Sequence, residues 1–220
     1  MITTIALIDY GAGNLTSVRR GLRRAGLEPV TPATPQQLSD VAGILVPGVG
    51  HFSATTALSD DWRAAVLARV QVGVPLLGIC LGMQWLFAGS TEAPTLPGLA
   101  LAQGVCQHLK DVGDQFDELI PDIFGSHTGS AVRVPHIGWN QLEIRRPGRL
   151  LEGVTSGAFA YFAHSYAAPV TAETSAVTAH GVPFAAAIER EHVFGAQFHP
   201  ELSAETGARV FANFAAVVRS

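Results

Sequence analysis

Apolar positions along this chain alternate between two rhythms. "TTIALID" near the N-terminus is a short β-branched run of the kind that forms a buried strand. After "YGAGN", the segment Asn14 to Ala25 places Leu15, Val18 and Leu22 at helical spacing, and Gly26 stands where a helix C-cap is expected. "AGILVPG" reads as the next buried strand. Asp60 and Asp61 can cap a helix that buries Trp62, Val66, Leu67 and Val70. "VPLLGI" is a further strand, and "LGMQWLF" resumes as helix. This alternation predicts an α/β fold, with a mostly parallel central sheet and helices on both faces.

The second half reads differently. "AFAYFAHSY", "SAVTAH", "PFAAAIER" and "HVFGAQF" are strands separated by turn residues, so antiparallel strands join the sheet from the C-terminal half. A last helix begins at Ser203, with Glu205 in its first turn and Val210, Phe211, Phe214, Val217 and Val218 on one face. No internal repeat or linker-like boundary interrupts the chain, which predicts a single domain over 1–220. The least regular stretch, 108–133, is polar with Gly and Pro and is expected to be an insertion on the rim.

Composition narrows the class. A chain of 220 residues can bury a sizeable core, and 48% hydrophobic against 15% charged content excludes a disordered polymer. Gly, Pro, Gln and charged residues interrupt every apolar run, so no membrane span is expected. "MITTIALIDY" lacks a basic n-region, so no signal peptide is expected either. A net charge of -4 gives no electrostatic footprint for nucleic acid. The two cysteines, Cys80 and Cys106, make neither a disulfide framework nor a zinc site, and a reducing cytoplasm is the expected setting. Nothing calls for a metal or a cofactor.

The candidate chemistry begins at Cys80. A lone cysteine in an apolar run is ordinarily a small core residue. Here Gly78-Ile79-Cys80-Leu81-Gly82 has the form G-x-nucleophile-x-G, between a predicted strand and a predicted helix. The glycines allow a sharp turn that stands the thiol at the sheet edge, and the helix dipole favours thiolate. A nucleophile of this kind needs a base and an orienting group. "GAQFHPELS" supplies His199 at a strand end and Glu201 across Pro200, which holds the preceding backbone extended. H-x-E also occurs in zinc deaminases, but the accompanying P-C-x-x-C is absent. A third element is "VPGVGHF", whose Pro47–Gly50 loop can aim backbone N–H groups at an oxyanion. Gly11-x-Gly13 has Thr16 where a dinucleotide fingerprint needs glycine, so no nicotinamide reading follows. The cluster Arg19, Arg20, Arg23 and Arg24 reads as a solvated helix face.

"GICLGMQ", "PGVG" and "QFHPE" together resemble the class I (Triad-type) glutamine amidotransferases, a flavodoxin-like fold. "IDYGAGN", "VPHIGWN" and "YFAHSY" look like the glutaminase subfamily that serves imidazole glycerol phosphate synthase in histidine biosynthesis. The resemblance covers nearly the whole chain. It implies that Cys80 attacks the side-chain amide of glutamine, that His199 moves the protons and that Glu201 holds the imidazole. The oxyanion would rest on the N–H groups of Leu81 and Val49, and water would then cleave the thioester. By the same resemblance Gly50, Gln84, Glu92, Ser165 and Tyr166 line the glutamine site.

Ammonia released here must reach its acceptor before water protonates it, and the chain shows no second active site. The resemblance implies a (β/α)₈-barrel cyclase as heterodimer partner, with Asn14, Trp139, Asn140, Tyr161 and Leu202 at the junction. Three departures from the family pattern stand out. Leu202 replaces the usual basic residue of "HPEKS" or "HPERS", Ile137 replaces Met, and 108–133 is longer than usual. The alternatives are the glutaminase of another amidotransferase, a stand-alone γ-glutamyl cysteine hydrolase and a flavodoxin-like binding module with a dead site.

Overall fold

In the computed structural model, which describes residues 2–112 and 132–220, β1 (Thr3–Leu7) sends Ile5 and Leu7 into one apolar cluster and Ala6 into another. That alternation follows from the two-residue period of a strand. Both faces are covered, so both must be apolar. α1 (Leu15–Arg24) lays Val18 and Leu22 on the first face, and Asn14 caps it by accepting the Ser17 N–H. Gly26 adopts φ +79°, the left-handed turn expected past a helix end.

The chain then returns through β2 (Leu27–Val30) and β3 (Ile44–Val46). α2 (Asp60–Gln71) buries Val66 and Val70 against the opposite face, with Trp62 and Leu67 half-buried. Asp60 and Asp61 occupy its first turn, where they favour the positive helix end, and the N-cap position falls to Ser59. β4 (Leu76–Ile79) leads into α3, which spans only Leu81–Trp85. The helix expected over "LGMQWLF" is therefore a single tight turn.

The other strands are β5 (Gln107–His108), β6 (His136–Gln141), β7 (Glu143–Ile144), β8 (Phe159–His164) and β9 (Tyr166–Ala167). β10 (Thr174–Ala179), β11 (Pro183–Arg190) and β12 (Val193–Ala196) follow. The central sheet runs β2-β1-β3-β4-β12-β11-β10-β7. β2, β1, β3, β4 and β12 are parallel, and β11, β10 and β7 continue antiparallel. The α/β fold with antiparallel strands from the second half is as expected. β8 differs: it pairs only with β6, in a separate antiparallel ribbon. α4 (Ala204–Arg219) closes the first face with Val210, Phe211, Phe214 and Val217.

The expected rim insertion falls mostly at 113–131, outside the described residues. Among the described residues, no helix is long and apolar enough to cross a membrane.

Candidate active site

β4 and β12 lie side by side at the centre of the sheet, and both end at the same edge. Cys80 follows β4 directly, held by its N–H donating to the Ala196 carbonyl of β12 at 2.7 Å. Its backbone is turned to φ +52°, ψ −108°, a conformation that L-residues rarely adopt. The flanking glycines make that turn possible. A Cβ on Gly78 would meet the Gly82 carbonyl oxygen at 2.5 Å, and one on Gly82 would meet the Val46 carbonyl oxygen at 1.8 Å. The G-x-C-x-G pattern is thus a strained strand-to-helix elbow.

β12 continues through Gln197 and Phe198 to His199, and a 3₁₀ turn at Pro200–Leu202 follows. The His199 N–H donates to the Tyr161 carbonyl of β8 at 2.8 Å. Ser203 was expected to cap α4 and instead laces this segment down. Its Oγ donates to the His199 carbonyl and accepts the Tyr161 N–H. The His199 ring is buried, and its Nδ1 lies 2.9 Å from the Glu201 carboxylate, itself buried. Nε2 is buried without a formed hydrogen bond among the described residues and faces the Cys80 sulfur. Burial alone would lower the His199 pKa. The Cys80 sulfur, by charge and as an acceptor, and the Glu201 carboxylate outweigh burial and raise it to about 10. The arrangement therefore favours an imidazolium beside the Cys80 sulfur.

A cavity of about 240 Å³ opens over the sulfur. Gly50, Cys80, Leu81, Gln84, Glu92, Ser165 and Tyr166 line it, together with Pro135, Ile137, Ala163 and His164. All five residues expected at a glutamine site thus share one cavity with Cys80. Glu92 is fixed there by accepting the Phe52 N–H at 2.7 Å. The two expected oxyanion donors are not assembled. The Leu81 N–H points at the Gly48 carbonyl oxygen, 3.3 Å away, and Val49 does not line the cavity.

Of the expected junction residues, Trp139 and Leu202 are exposed, and Trp139 packs edge-on against half-buried Tyr161 at 5.9 Å. Asn14 is exposed on the loop before α1. Asn140 turns its amide inward, donating to His136 Nε2 and to the Ala179 carbonyl. Val49, Ile137 and Phe159 join Trp139 and Leu202 among the exposed large apolar side chains.

Sequence reasoning assigned nothing to Gln197, His136, His164 or Tyr10, all of which stand around the site. Burial and the neighbouring imidazoles hold His136 down at about 4 and His164 at about 3. Burial, and then the Cys80 charge, push the Tyr10 hydroxyl well above its usual range. The one available signal for Gln197 was a polar residue inside the apolar run "FGAQF".

A strained cysteine elbow at the edge of a parallel sheet, facing a His–Glu pair on the neighbouring strand, matches one family. Residues 6–218 match the family described as glutamine amidotransferase class-I, and the chain belongs to it. A solved glutamine amidotransferase structure superimposes with a TM-score of 0.70 at 19% identity, over 98% of this chain and 99% of that one. Imidazole glycerol phosphate synthase subunit HisH of Natronomonas pharaonis is 43% identical over 219 residues, 96% of this chain and 93% of that protein. The protein of the same name from Deinococcus radiodurans is 39% identical over 214 residues, 96% of this chain and 92% of that one.

Proposed function

We propose that this chain is the glutaminase subunit of imidazole glycerol phosphate synthase, acting in histidine biosynthesis in the cytoplasm. The observation that carries the reading is the convergence on one cavity of Cys80 with Gly50, Gln84, Glu92, Ser165 and Tyr166, backed by His199 and Glu201.

In this reading the Cys80 thiolate attacks the side-chain amide carbon of L-glutamine, and His199 gives its proton to the departing ammonia. Water, deprotonated by His199, then cleaves the γ-glutamyl thioester to glutamate. Glu201 holds the imidazole and balances its charge. Glu92 suits the substrate ammonium.

The oxyanion needs two N–H groups. The one on Leu81 is occupied by the Gly48 carbonyl. Rotation of the Gly48–Val49 peptide would free it and offer the Val49 N–H beside it. Such a donor is worth ~3 kcal/mol, on the order of a hundredfold in rate. The free chain is therefore a slow glutaminase, and the partner activates it by turning this loop.

The partner is a (β/α)₈-barrel cyclase in a heterodimer. It receives ammonia directly, because ammonium in water has no lone pair with which to attack. The exposed apolar side chains of Val49, Ile137, Trp139, Phe159 and Leu202 supply a docking rim. The whole of 1–220 works as one glutaminase domain.

Glutamine hydrolysis by the isolated chain, and then with the cyclase and its nucleotide ligand, tests this. Slow turnover that rises about a hundredfold in the liganded complex supports it. A free chain as fast as the complex means a stand-alone hydrolase.

A further inference from the structure

We propose that Gln197 is the hydrogen-bond donor that holds the Cys80 sulfur, and that two runs of hydrogen bonds meeting at the Tyr166 carbonyl, one from Asn140 through His136 and His164 and one from Gln84, fix its orientation. Gln197 is fully buried, and its Nε2 lies 3.6 Å from Cys80 Sγ. The sulfur is thereby approached by His199 and by a neutral amide donor. His199 gives up its proton during the reaction, and the amide cannot.

The direction of every bond in the chain follows from groups that only accept. The Tyr166 carbonyl, 2.9 Å from His164 Nδ1, makes that nitrogen the donor. In a neutral ring His164 Nε2 must then accept, and it does so from His136 Nδ1 at 3.0 Å. His136 Nε2 accepts in turn from Asn140 Nδ2 at 3.2 Å. The Asn140 amide cannot be reversed, because Nδ2 also donates to the Ala179 carbonyl and Oδ1 accepts the Gln141 N–H. At the inner end the same Tyr166 carbonyl accepts a second donor, Gln84 Nε2, at 2.8 Å. Gln84 Nε2 also donates to Gln197 Oε1 at 3.2 Å. That leaves Gln197 only its amide nitrogen to turn toward the sulfur. A reversed Gln197 would set its oxygen against a thiolate and its N–H₂ against that of Gln84.

His136, His164, Gln84 and Gln197 are all buried, so each bond is made in a medium where losing it is costly. A proton added to His164 would set N–H against N–H and break the chain. Burial, which holds both rings neutral near pH 7, keeps it intact. Gln197 touches the reacting sulfur. Asn140, His136 and His164 act through it and are positioning residues.

The proposal rests on reading Cys80 as a nucleophile. Its test needs neither glutamine nor a partner, so it can fail while that reading stands. The rate of Cys80 alkylation by iodoacetamide is measured against pH in the whole chain. Cys106 is fully buried and does not compete. The titratable groups around the sulfur are His199 beyond β12, Tyr10 after β1, His164 on β8, and Glu92 and Tyr166 across the cavity. The variants leave all of them in place.

Gln197→Glu keeps the bond from Gln84 and replaces the donor by an acceptor. It should raise the alkylation midpoint by about one pH unit and slow the reaction about tenfold below it. Gln197→Met, which removes the donor without adding charge, should shift the midpoint the same way by less. His136→Phe, which cuts the chain beyond His164, four hydrogen bonds from the sulfur, should slow alkylation about threefold below the midpoint. A midpoint unmoved in both Gln197 variants overturns the contact. Shifts at Gln197 with none in folded His136→Phe overturn the chain.

Discussion

Two free cysteines sit on either side of Gln84, and their surroundings differ in almost every respect that matters. Cys106 is fully buried in the apolar cluster under α2 and α3, and the one hydrogen-bond partner of its sulfur among the described residues is the Gln84 carbonyl, at 3.8 Å. Burial pushes its thiol far above the usual range. Cys80 is nearly as buried, at 4% exposure against 0%. Yet its backbone is strained, His199 faces its sulfur, Gln197 donates to it and a cavity opens above it. Burial without a charge partner makes a thiol inert, whereas burial beside a cation and an oriented donor makes it a nucleophile.

The largest effect follows from removing each sulfur by substitution with alanine. Cys80→Ala should abolish glutamine hydrolysis and glutamine-dependent synthesis, and leave ammonia-dependent synthesis by the complex intact. Cys106→Ala should keep its turnover and lose about 1 kcal/mol of stability to the small cavity. Both rates and a denaturant melt decide this. Glutaminase retained in Cys80→Ala would end the distinction between the two thiols.

Glu201→Gln tests the cation next. The carboxylate 2.9 Å from His199 Nδ1 helps hold the imidazolium opposite the Cys80 sulfur. Its loss should lower glutaminase turnover about a hundredfold, the low end of what a positioned acid–base group contributes. The basic limb of the pH–rate profile should move down, because the imidazolium loses a partner. A tenfold or smaller loss, with that limb unmoved, would mean that Cys80 and Gln197 suffice without the His–Glu pair.

The Cys80 side was legible in the sequence to the extent that its chemistry is local. Gly78, Cys80 and Gly82 lie within five residues, and His199 and Glu201 within three. The β1–α1–β2 start was legible because its apolar period changes cleanly from 2 to 3.6. The ribbon of β6 and β8 was not, since alternation in "AFAYFAHS" marks a strand without saying what it pairs with. The His136–His164 contact spans 28 positions and exists only through that pairing. Nor could sequence foretell that the Leu81 N–H points at Gly48, because the glycine loop permits both orientations.

The histidines give a third, smaller test, confined to the polar side. His136 titrates near 4 in the folded protein and near 6.5 when unfolded. The unfolded chain therefore takes up a proton between those values that the folded chain refuses. Stability should fall as pH drops from about 6.5 toward 4, by on the order of 2 kcal/mol from His136, with His164 adding to it. His199 acts with the opposite sign. Its contribution is complete below about 6.5 and fades as pH rises through about 10. Denaturant midpoints from pH 4 to 7 measure the first slope. His136→Phe should flatten it, and an unaltered slope would place the acid sensitivity elsewhere.

The smallest effect belongs to the rim outside the Cys80 cavity. Leu202 is 42% exposed where the family resemblance implies a cation, and Val49, Ile137, Trp139 and Phe159 are exposed with it. A half-exposed leucine that becomes covered contributes on the order of 1 kcal/mol, and a carboxylate in its place adds a desolvation cost. Leu202→Asp should therefore weaken assembly with the cyclase about tenfold. The Leu202 N–H bond to the His199 carbonyl, at 3.0 Å, is made by the backbone and survives the change. The isolated chain should thus keep its fold and its basal glutaminase rate. Apolar contacts are screened by salt less than ion pairs, so wild-type affinity should vary little between low and physiological ionic strength. Calorimetric titration at two salt concentrations measures both quantities. Equal affinity for Leu202→Asp and wild type would move the docking face off this rim.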